Sequence, residues 1–208
     1  MTRIAALPDF RRLMRLAALR IGQMLNQTEL GRDAGLKQAT AHRYLNLLEI
    51  SYQIIRLPAF AVSRTKRLVK SPKIYWTDSG LASHLSGFGS PGDPIPGKFA
   101  GYLLENLVLV HLLALRETVS PRPEIHYWRT QSGDEVDFVI ESGKRVLPVE
   151  VKSSRGVRLA DAASLRLFLE KYKLAPFGVL LYGGDEVIPV TERILAVPLG
   201  PLLGEESG

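Results

Sequence analysis

The sequence predicts an α/β (α+β) protein made of two modules, on three observations. Residues 1–98 hold 15 Lys and Arg against 6 Asp and Glu, whereas residues 99–208 hold 12 against 15. Apolar residues recur at helical spacing near the N-terminus, and strand-like segments follow in the second half. The segment between them, Ser86–Lys98, contains four glycines and three prolines, which is typical of a linker. We therefore predict domains over 1–86 and 99–208, joined by a linker over 87–98.

Three helices are predicted in the basic half. The first follows Asp9 as its N-cap, the second opens on Thr28 and ends near Gly35, and the third covers residues 37–50. The third helix should bury four apolar or aromatic side chains, namely Ala41, Tyr44, Leu45 and Leu48. Two short helices joined by a turn that contains glycine make a helix-turn-helix, whose second helix enters the major groove of DNA.

A hairpin with a basic tip should follow these helices. Residues 51–60 and 66–78 read as strands, and Ser63–Arg67 lies between them. This order predicts a winged helix-turn-helix closed by a short helix over 77–85. Exposed donors suit phosphates and base edges, so DNA is the expected partner, although winged helices also serve as protein–protein modules. The expected contacts are Lys37, Gln38, Thr40 and Arg43 on the third helix, and Arg64, Lys66 and Arg67 at the tip.

The second half predicts the order αβββαβ with a mixed sheet. A long helix over 98–117 is apolar almost all round and should be mostly buried. Three short strands follow, then an amphipathic helix over 160–173, then a buried strand over 176–183. A further strand is possible over 192–199.

Two of the three short strands carry ionisable groups among valines. Glu150 and Lys152 alternate with Val149 and Val151, so their side chains share one face, and Asp137 lies on the adjacent strand. Two carboxylates that converge from neighbouring strands suit Mg²⁺, and a lysine beside them can position water or stabilise a phosphorane-like charge.

These residues resemble the signature of the PD-(D/E)XK nuclease superfamily: Asp, a variable gap, then Glu-x-Lys on a hairpin, often with a Glu on the preceding helix. The resemblance implies a restriction-endonuclease-like domain in which Asp137, Glu150 and Glu105 hold Mg²⁺ or Mn²⁺. Lys152 would serve the attacking water and the transition state. All four residues would then be catalytic.

A wider resemblance covers about residue 10 to about residue 185 and is carried by SPKIYWTDSGLA and GDEVDFVIE. These blocks are similar to the C-terminal region of prokaryotic AAA-type ATPases, which is a domain of unknown function. That resemblance implies an ATPase partner or a lost ATPase domain. Nuclease activity in that family is itself an inference from its fold.

Two alternatives stay open. Asp137 and Glu150 could instead pair with Lys152 or Arg129 on a strand face that only binds, as in a non-catalytic accessory of an AAA-type ATPase. A simple winged-helix regulator would explain the first half but not the acids. His111 and His126 lack the spacing of a metal-binding pair and are expected to be core or surface residues.

Composition excludes several other classes. There is no cysteine, which rules out disulfides and thiolate catalysis and is compatible with the cytoplasm. No apolar run looks long enough to cross a bilayer, so no membrane is expected. Gly92–Lys98 resembles a phosphate-binding loop, but Phe99 stands where Ser or Thr should bind magnesium, so no ATP site is expected in this chain.

Overall fold

The computed structural model describes residues 6–90 and 92–204 and divides into two compact units. The first unit contains Met1–Leu57 and Lys70–Leu107, and the second contains Pro58–Val69 and Val108–Gly208. The two units therefore interleave along the chain. The segment Pro58–Val69 groups with the second half of the sequence, and residues up to Leu107 group with the first.

The helices and strands follow one another along the chain in a fixed order. They are α1 (Leu7–Ala18), α2 (Gln27–Asp33), α3 (Gln38–Ile50), β1 (Ile54–Leu57), α4 (Arg64–Val69), β2 (Lys73–Trp76), α5 (Ser79–Leu85), α6 (Gly97–Arg116), β3 (Glu124–Arg129), β4 (Glu135–Ser142), β5 (Arg145–Lys152), a 3₁₀ turn (Leu159–Ala162), α7 (Ala163–Lys171), β6 (Gly178–Tyr182), β7 (Ile188–Thr191), β8 (Ile194–Pro198) and α8 (Gly200–Leu203).

The first unit contains four helices, α1, α2, α3 and α5, the first part of α6 and a two-stranded antiparallel sheet. The four side chains predicted to face inward from α3 are all buried. The Asn26 side chain caps α2 by accepting a hydrogen bond from the Glu29 backbone, and Asp78 caps α5 in the same way. Strand β1 pairs with β2 so that Ile54 faces Trp76. Asp9 lies in the first turn of α1 rather than at its cap, which is a correction to the predicted start.

The second unit is built on a six-stranded mixed sheet in the order β3-β4-β5-β6-β8-β7, which confirms the predicted mixed sheet. Strands β3, β4 and β5 are antiparallel, β5, β6 and β8 are parallel, and β7 returns antiparallel to β8. Helix α7 packs on β4, β5 and β6. Phe168 of α7 contacts Trp128 and Phe60 in a buried aromatic cluster.

The connection between β1 and β2 differs from the predicted wing. Both strands are four residues long, and Pro58, which lacks a backbone donor, directly follows β1. The predicted basic tip forms the short helix α4, in which the Arg67 backbone N–H donates to the Ser63 carbonyl. A helical turn therefore replaces the expected loop.

Helix α6 is less buried than its sequence predicted. Its most apolar 18-residue window has a mean hydropathy of 1.4, and 28% of that window is buried. By length and composition it could span a membrane, so the expectation that no segment was long enough is wrong. A single helix of this kind is weak evidence for a membrane span, because core helices pass the same test.

Candidate functional site

The β4–β5 hairpin brings together the three ionisable residues that the sequence singled out there. The last registered pair of the hairpin is Phe138 with Val149, and continuing this antiparallel register by one residue would set Asp137 opposite Glu150. Residues opposite one another in an antiparallel pair share a face, and Lys152 shares it because it lies two residues beyond Glu150. The hairpin register therefore places both carboxylates and the amine on one side of the sheet.

Hydrogen bonds fix these groups. Asp137 Oδ2 accepts from the backbone N–H of Val151 at 2.8 Å, which ties β4 to β5 where the ladder ends. Lys152 Nζ donates to Glu150 Oε1 at 2.8 Å. The Glu150 side chain is 9% exposed, whereas that of Lys152 is 36% exposed. The carboxylate is therefore buried and the amine reaches solvent.

The electrostatics of this site favour a charged lysine. Burial alone would disfavour the ammonium ion, but the hydrogen-bonded Glu150 carboxylate, together with Asp137 and Asp161, outweighs it and raises the pKa of Lys152 above its usual value. Asp161 was not singled out from the sequence. It lies in the 3₁₀ turn, and its carboxylate accepts the Arg158 backbone N–H at 2.8 Å, which lowers the pKa of Asp161. The local signal for Asp161 is its position three residues after Arg158, where an acid can cap the start of a helical turn.

Glu105 is held in the first unit, not in the unit that carries the hairpin. Its Oε1 accepts hydrogen bonds from Lys73 Nζ, at 2.8 Å, and from the Tyr75 hydroxyl. Lys73 is 1% exposed and Glu105 is 7% exposed. The next residue, Asn106, accepts the Trp76 backbone N–H at 2.7 Å. The acid in the apolar helix thus has a cation as its partner.

Helix α3 presents the predicted polar surface of the first unit. Lys37, Gln38 and Arg43 are exposed and Thr40 is half-buried. Gln38 donates to the Thr28 hydroxyl at 3.2 Å, which links the start of α3 to α2. Beside these residues lies a hydrogen-bonded row that no sequence pattern indicated. It consists of Gln27, His42, Asn46 and Arg56.

Arg67 is engaged inside the second unit. Its guanidinium forms two hydrogen bonds with Glu141, at 2.6 and 3.1 Å, and also donates to the Ala61 carbonyl. The side chain is 16% exposed. These contacts use the donors that a phosphate would need. The side chains of Arg64 and Lys66 lie outside the described part of the structure.

A second ionisable cluster, formed by Glu124, His126 and Glu141, surrounds the Arg67 guanidinium. Glu124 and Glu141 are cross-strand partners on β3 and β4, and His126 lies two residues beyond Glu124 on the same face. Burial disfavours the charged imidazolium, and the nearby Arg67 guanidinium repels it. Together they lower the pKa of His126, although the Glu141 and Glu124 carboxylates act in the opposite direction. The spacing Glu-x-His on a strand was the only local signal for this cluster.

Two family models match the chain, and both describe domains of unknown function. Residues 100–202 match DUF4143, and residues 1–92 match DUF8612. The first match supports an AAA-associated domain of unknown function, since DUF4143 is found in AAA-ATPase-associated proteins.

Similar proteins include the uncharacterized proteins Mb2031c of Mycobacterium bovis and Rv2008c of Mycobacterium tuberculosis. Each is 31% identical to this chain over 182 residues, which is 88% of this chain and 40% of the relative. The chain therefore spans less than half the length of these relatives. A solved assembly of Thermococcus gammatolerans McrB AAA+ hexamers with bound McrC aligns with a TM-score of 0.35 and 12% identity, over 92% of this chain and 47% of that chain. A likeness this weak carries no argument about function.

Proposed function

We propose that the second unit is a metal-dependent nuclease domain that hydrolyses phosphodiester bonds in DNA. One observation carries this proposal: the hairpin register puts Asp137, Glu150 and Lys152 on one face, with a buried carboxylate next to a half-exposed ammonium group. A plain structural strand would gain more from apolar residues at these positions, because burying a carboxylate costs free energy.

The donor set fits a hard divalent cation. Asp137 and Glu150 would supply carboxylate oxygens, which are the ligands that Mg²⁺ and Mn²⁺ accept in phosphate chemistry. The ion, when bound, would polarise the phosphate and lower the pKa of bound water. Glu105 is omitted from this proposed set because Lys73 and Tyr75 already engage its carboxylate.

Lys152 would act on the substrate side of the site. Its raised pKa keeps the amine protonated at neutral pH, so it would stabilise negative charge that develops on the phosphate oxygens. Asp137 is oriented by the Val151 backbone and Glu150 by Lys152, so these side chains are partly preorganised. Asp161 adds a further negative charge near the amine.

A cleavage assay tests this assignment. Linear, branched and single-stranded DNA would be incubated with the protein and Mg²⁺, Mn²⁺ or EDTA. We expect cleavage that EDTA abolishes and that Asp137→Asn and Lys152→Met each reduce by roughly 10²–10³-fold, the usual loss when one transition-state contact is removed. Lys144→Met, in the turn of the same hairpin, is the matched control and should cut normally. Uncut DNA on every substrate with every metal would rule the nuclease out.

We also propose that the first unit holds the DNA, as a helix-turn-helix without the predicted wing, whose α3 faces the major groove. The support is the exposed Lys37, Gln38 and Arg43 at the start of a helix packed on α2. Arg67 is left out of this surface because Glu141 binds it.

Salt titration of DNA binding tests the second assignment. Affinity should fall steeply as salt rises, and Arg43→Ala should weaken binding and reduce the salt slope by about one. Arg11→Ala, an exposed arginine on α1, serves as the control. Binding that does not depend on salt, or an Arg43 variant equal to wild type, would contradict the assignment.

A non-catalytic accessory module of an AAA-type ATPase is the second candidate. It is favoured by the pairing of Lys152 with Glu150 and of Glu105 with Lys73, since these contacts satisfy the acids without a metal. In that case the protein would bind DNA or an ATPase partner with no cleavage under any metal condition. The same assay therefore separates the two candidates.

A further inference from the structure

The cluster of Glu124, His126 and Glu141 has the donor spacing of a metal site. His126 Nε2 lies 3.3 Å from Glu124 Oε2 and 3.5 Å from Glu141 Oε2, and one donor atom of each residue lies within 4.8 Å of the others. Ligand atoms bonded to zinc at about 2.0–2.2 Å stand roughly 3.4 Å apart in a tetrahedron. The His126–Glu124 and His126–Glu141 distances therefore already match the spacing between zinc ligands.

The Arg67 guanidinium marks where a cation would lie. Its Nη1 is 2.6 Å from Glu141 Oε2, 3.4 Å from His126 Nε2 and 3.8 Å from Glu124 Oε2. Two carboxylates directly opposite each other on neighbouring strands repel, so this face of the sheet requires a positive charge. Arg67 supplies that charge from α4, outside the sheet.

The histidine is placed for the chemistry of Nε2 rather than for packing alone. His126 is 4% exposed, and its Nδ1 is buried with no hydrogen-bond partner in the described part of the chain. The other ring nitrogen, Nε2, points into the cluster, where it lies within 3.5 Å of a carboxylate oxygen of each glutamate.

We propose that Glu124, His126 and Glu141 form a binding site for a divalent transition-metal ion, which competes with the Arg67 guanidinium for these three side chains. An imidazole nitrogen in the donor set favours Zn²⁺, Cu²⁺ or Ni²⁺ over Mg²⁺, Ca²⁺ and Mn²⁺, which prefer oxygen ligands. Binding such an ion displaces Arg67 and releases α4 from the sheet.

Once Arg67 is displaced from Glu141 and from the Ala61 carbonyl, the described apolar side chains of α4 add little to hold it. It is six residues long, and its apolar side chains face solvent, with Leu68 89% and Val69 80% exposed. Segments with few buried contacts open with low free energy. A cavity of about 720 Å³, lined in part by Leu68, Arg122 and the three cluster residues, provides an entry path for the ion.

Calorimetric titration of the full chain with ZnCl₂ tests this proposal. We expect Arg67→Gln to tighten zinc binding, and Glu124→Gln and Glu141→Gln to weaken it, each by roughly tenfold or more. Glu124 is 72% exposed, so its variant should fold normally. Glu170→Gln, an exposed acid on α7, is the control. Asp137→Asn should retain this zinc site, which separates it from the hairpin site.

Hydrogen exchange gives the second readout. Zinc should speed exchange of the amides of α4 in the wild-type protein and leave those of Arg67→Gln unchanged, because that variant has already lost the contact. Failure of Arg67→Gln to bind zinc would overturn the proposal, and so would equal zinc affinity in the wild type and this variant.

Discussion

Two lysine–glutamate pairs, one in each unit, have the same N–O distance and different surroundings. Lys73 and Glu105 lie 2.8 Å apart with side chains that are 1% and 9% exposed. Lys152 and Glu150 also lie 2.8 Å apart, with side chains that are 36% and 9% exposed. Tyr75 adds a hydrogen bond to the first pair, whereas the second pair has the Asp137 carboxylate on the same sheet face.

We propose that this difference in exposure separates a structural ion pair, Lys73–Glu105, from a reactive one, Lys152–Glu150. In the first pair both charged groups are buried, and each is the hydrogen-bonded counter-ion of the other. In the second pair the lysine reaches solvent, and the Asp137 and Asp161 carboxylates add to the negative charge that acts on it. A buried acid in an apolar segment is therefore weak evidence of a metal ligand until its partner is known.

Breaking the Lys73–Glu105 pair, which we call the closed pair because both side chains are buried, should give the largest loss of stability. Glu105→Ala leaves the Lys73 ammonium buried without its carboxylate, and we expect a loss of about 3–5 kcal/mol in the free energy of unfolding. Urea denaturation measures this change. The double variant Lys73→Met/Glu105→Leu should recover most of the loss, since an apolar pair of similar volume replaces two buried charges. A double variant as unstable as Glu105→Ala would contradict this account of the pair.

Breaking the Lys152–Glu150 pair, which we call the open pair because Lys152 reaches solvent, should cost less. Lys152→Met removes a partly exposed amine but leaves the buried Glu150 carboxylate without it, so we expect a loss of about 1–3 kcal/mol, above that of a fully exposed pair. The same urea experiment, with Lys144→Met as the control in the hairpin turn, checks this value. A cost equal to that of Glu105→Ala would mean that the two pairs do not differ as proposed.

Acid should destabilise the second unit by a smaller amount through His126. Because burial and Arg67 lower the folded-state pKa of His126 below 6.5, the unfolded chain binds the proton first. The stability that depends on the neutral ring is therefore present above pH 6.5 and is lost as the pH falls below it.

Unfolding in EDTA at about pH 7.5 and about pH 5 measures this loss. His126→Gln should show a shallower decline than the wild type, while His84→Gln, an exposed histidine of the first unit, should follow the wild type. An identical decline in His126→Gln would contradict the assignment.

The sequence predicted most of what depends on local periodicity. The inward positions of α3, the hairpin of β4 and β5, and the mixed sheet follow from helical and alternating patterns within short segments. The shared face of Glu150 and Lys152 follows from the same alternation, because it needs only two neighbouring strand positions.

What the sequence missed depends on contacts between distant segments. The partner of Glu105 is 32 residues earlier in the chain, and Arg67 lies 74 residues from Glu141. No local pattern shows such pairings, so Glu105 was predicted as a metal ligand and α4 was predicted as the tip of a wing. The cluster around His126 likewise depends on the register of β3 against β4.

DNA cleavage by two double variants tests the central claim most directly, namely that the open pair is reactive and the closed pair is structural. Lys73→Met/Glu105→Leu and Glu150→Gln/Lys152→Met would be assayed side by side with Mg²⁺ or Mn²⁺, after circular dichroism shows that both are folded. We predict that the first variant cuts DNA at the wild-type rate and the second does not cut. A folded Lys73→Met/Glu105→Leu protein without cleavage, or a Glu150→Gln/Lys152→Met protein that still cuts, would contradict the account.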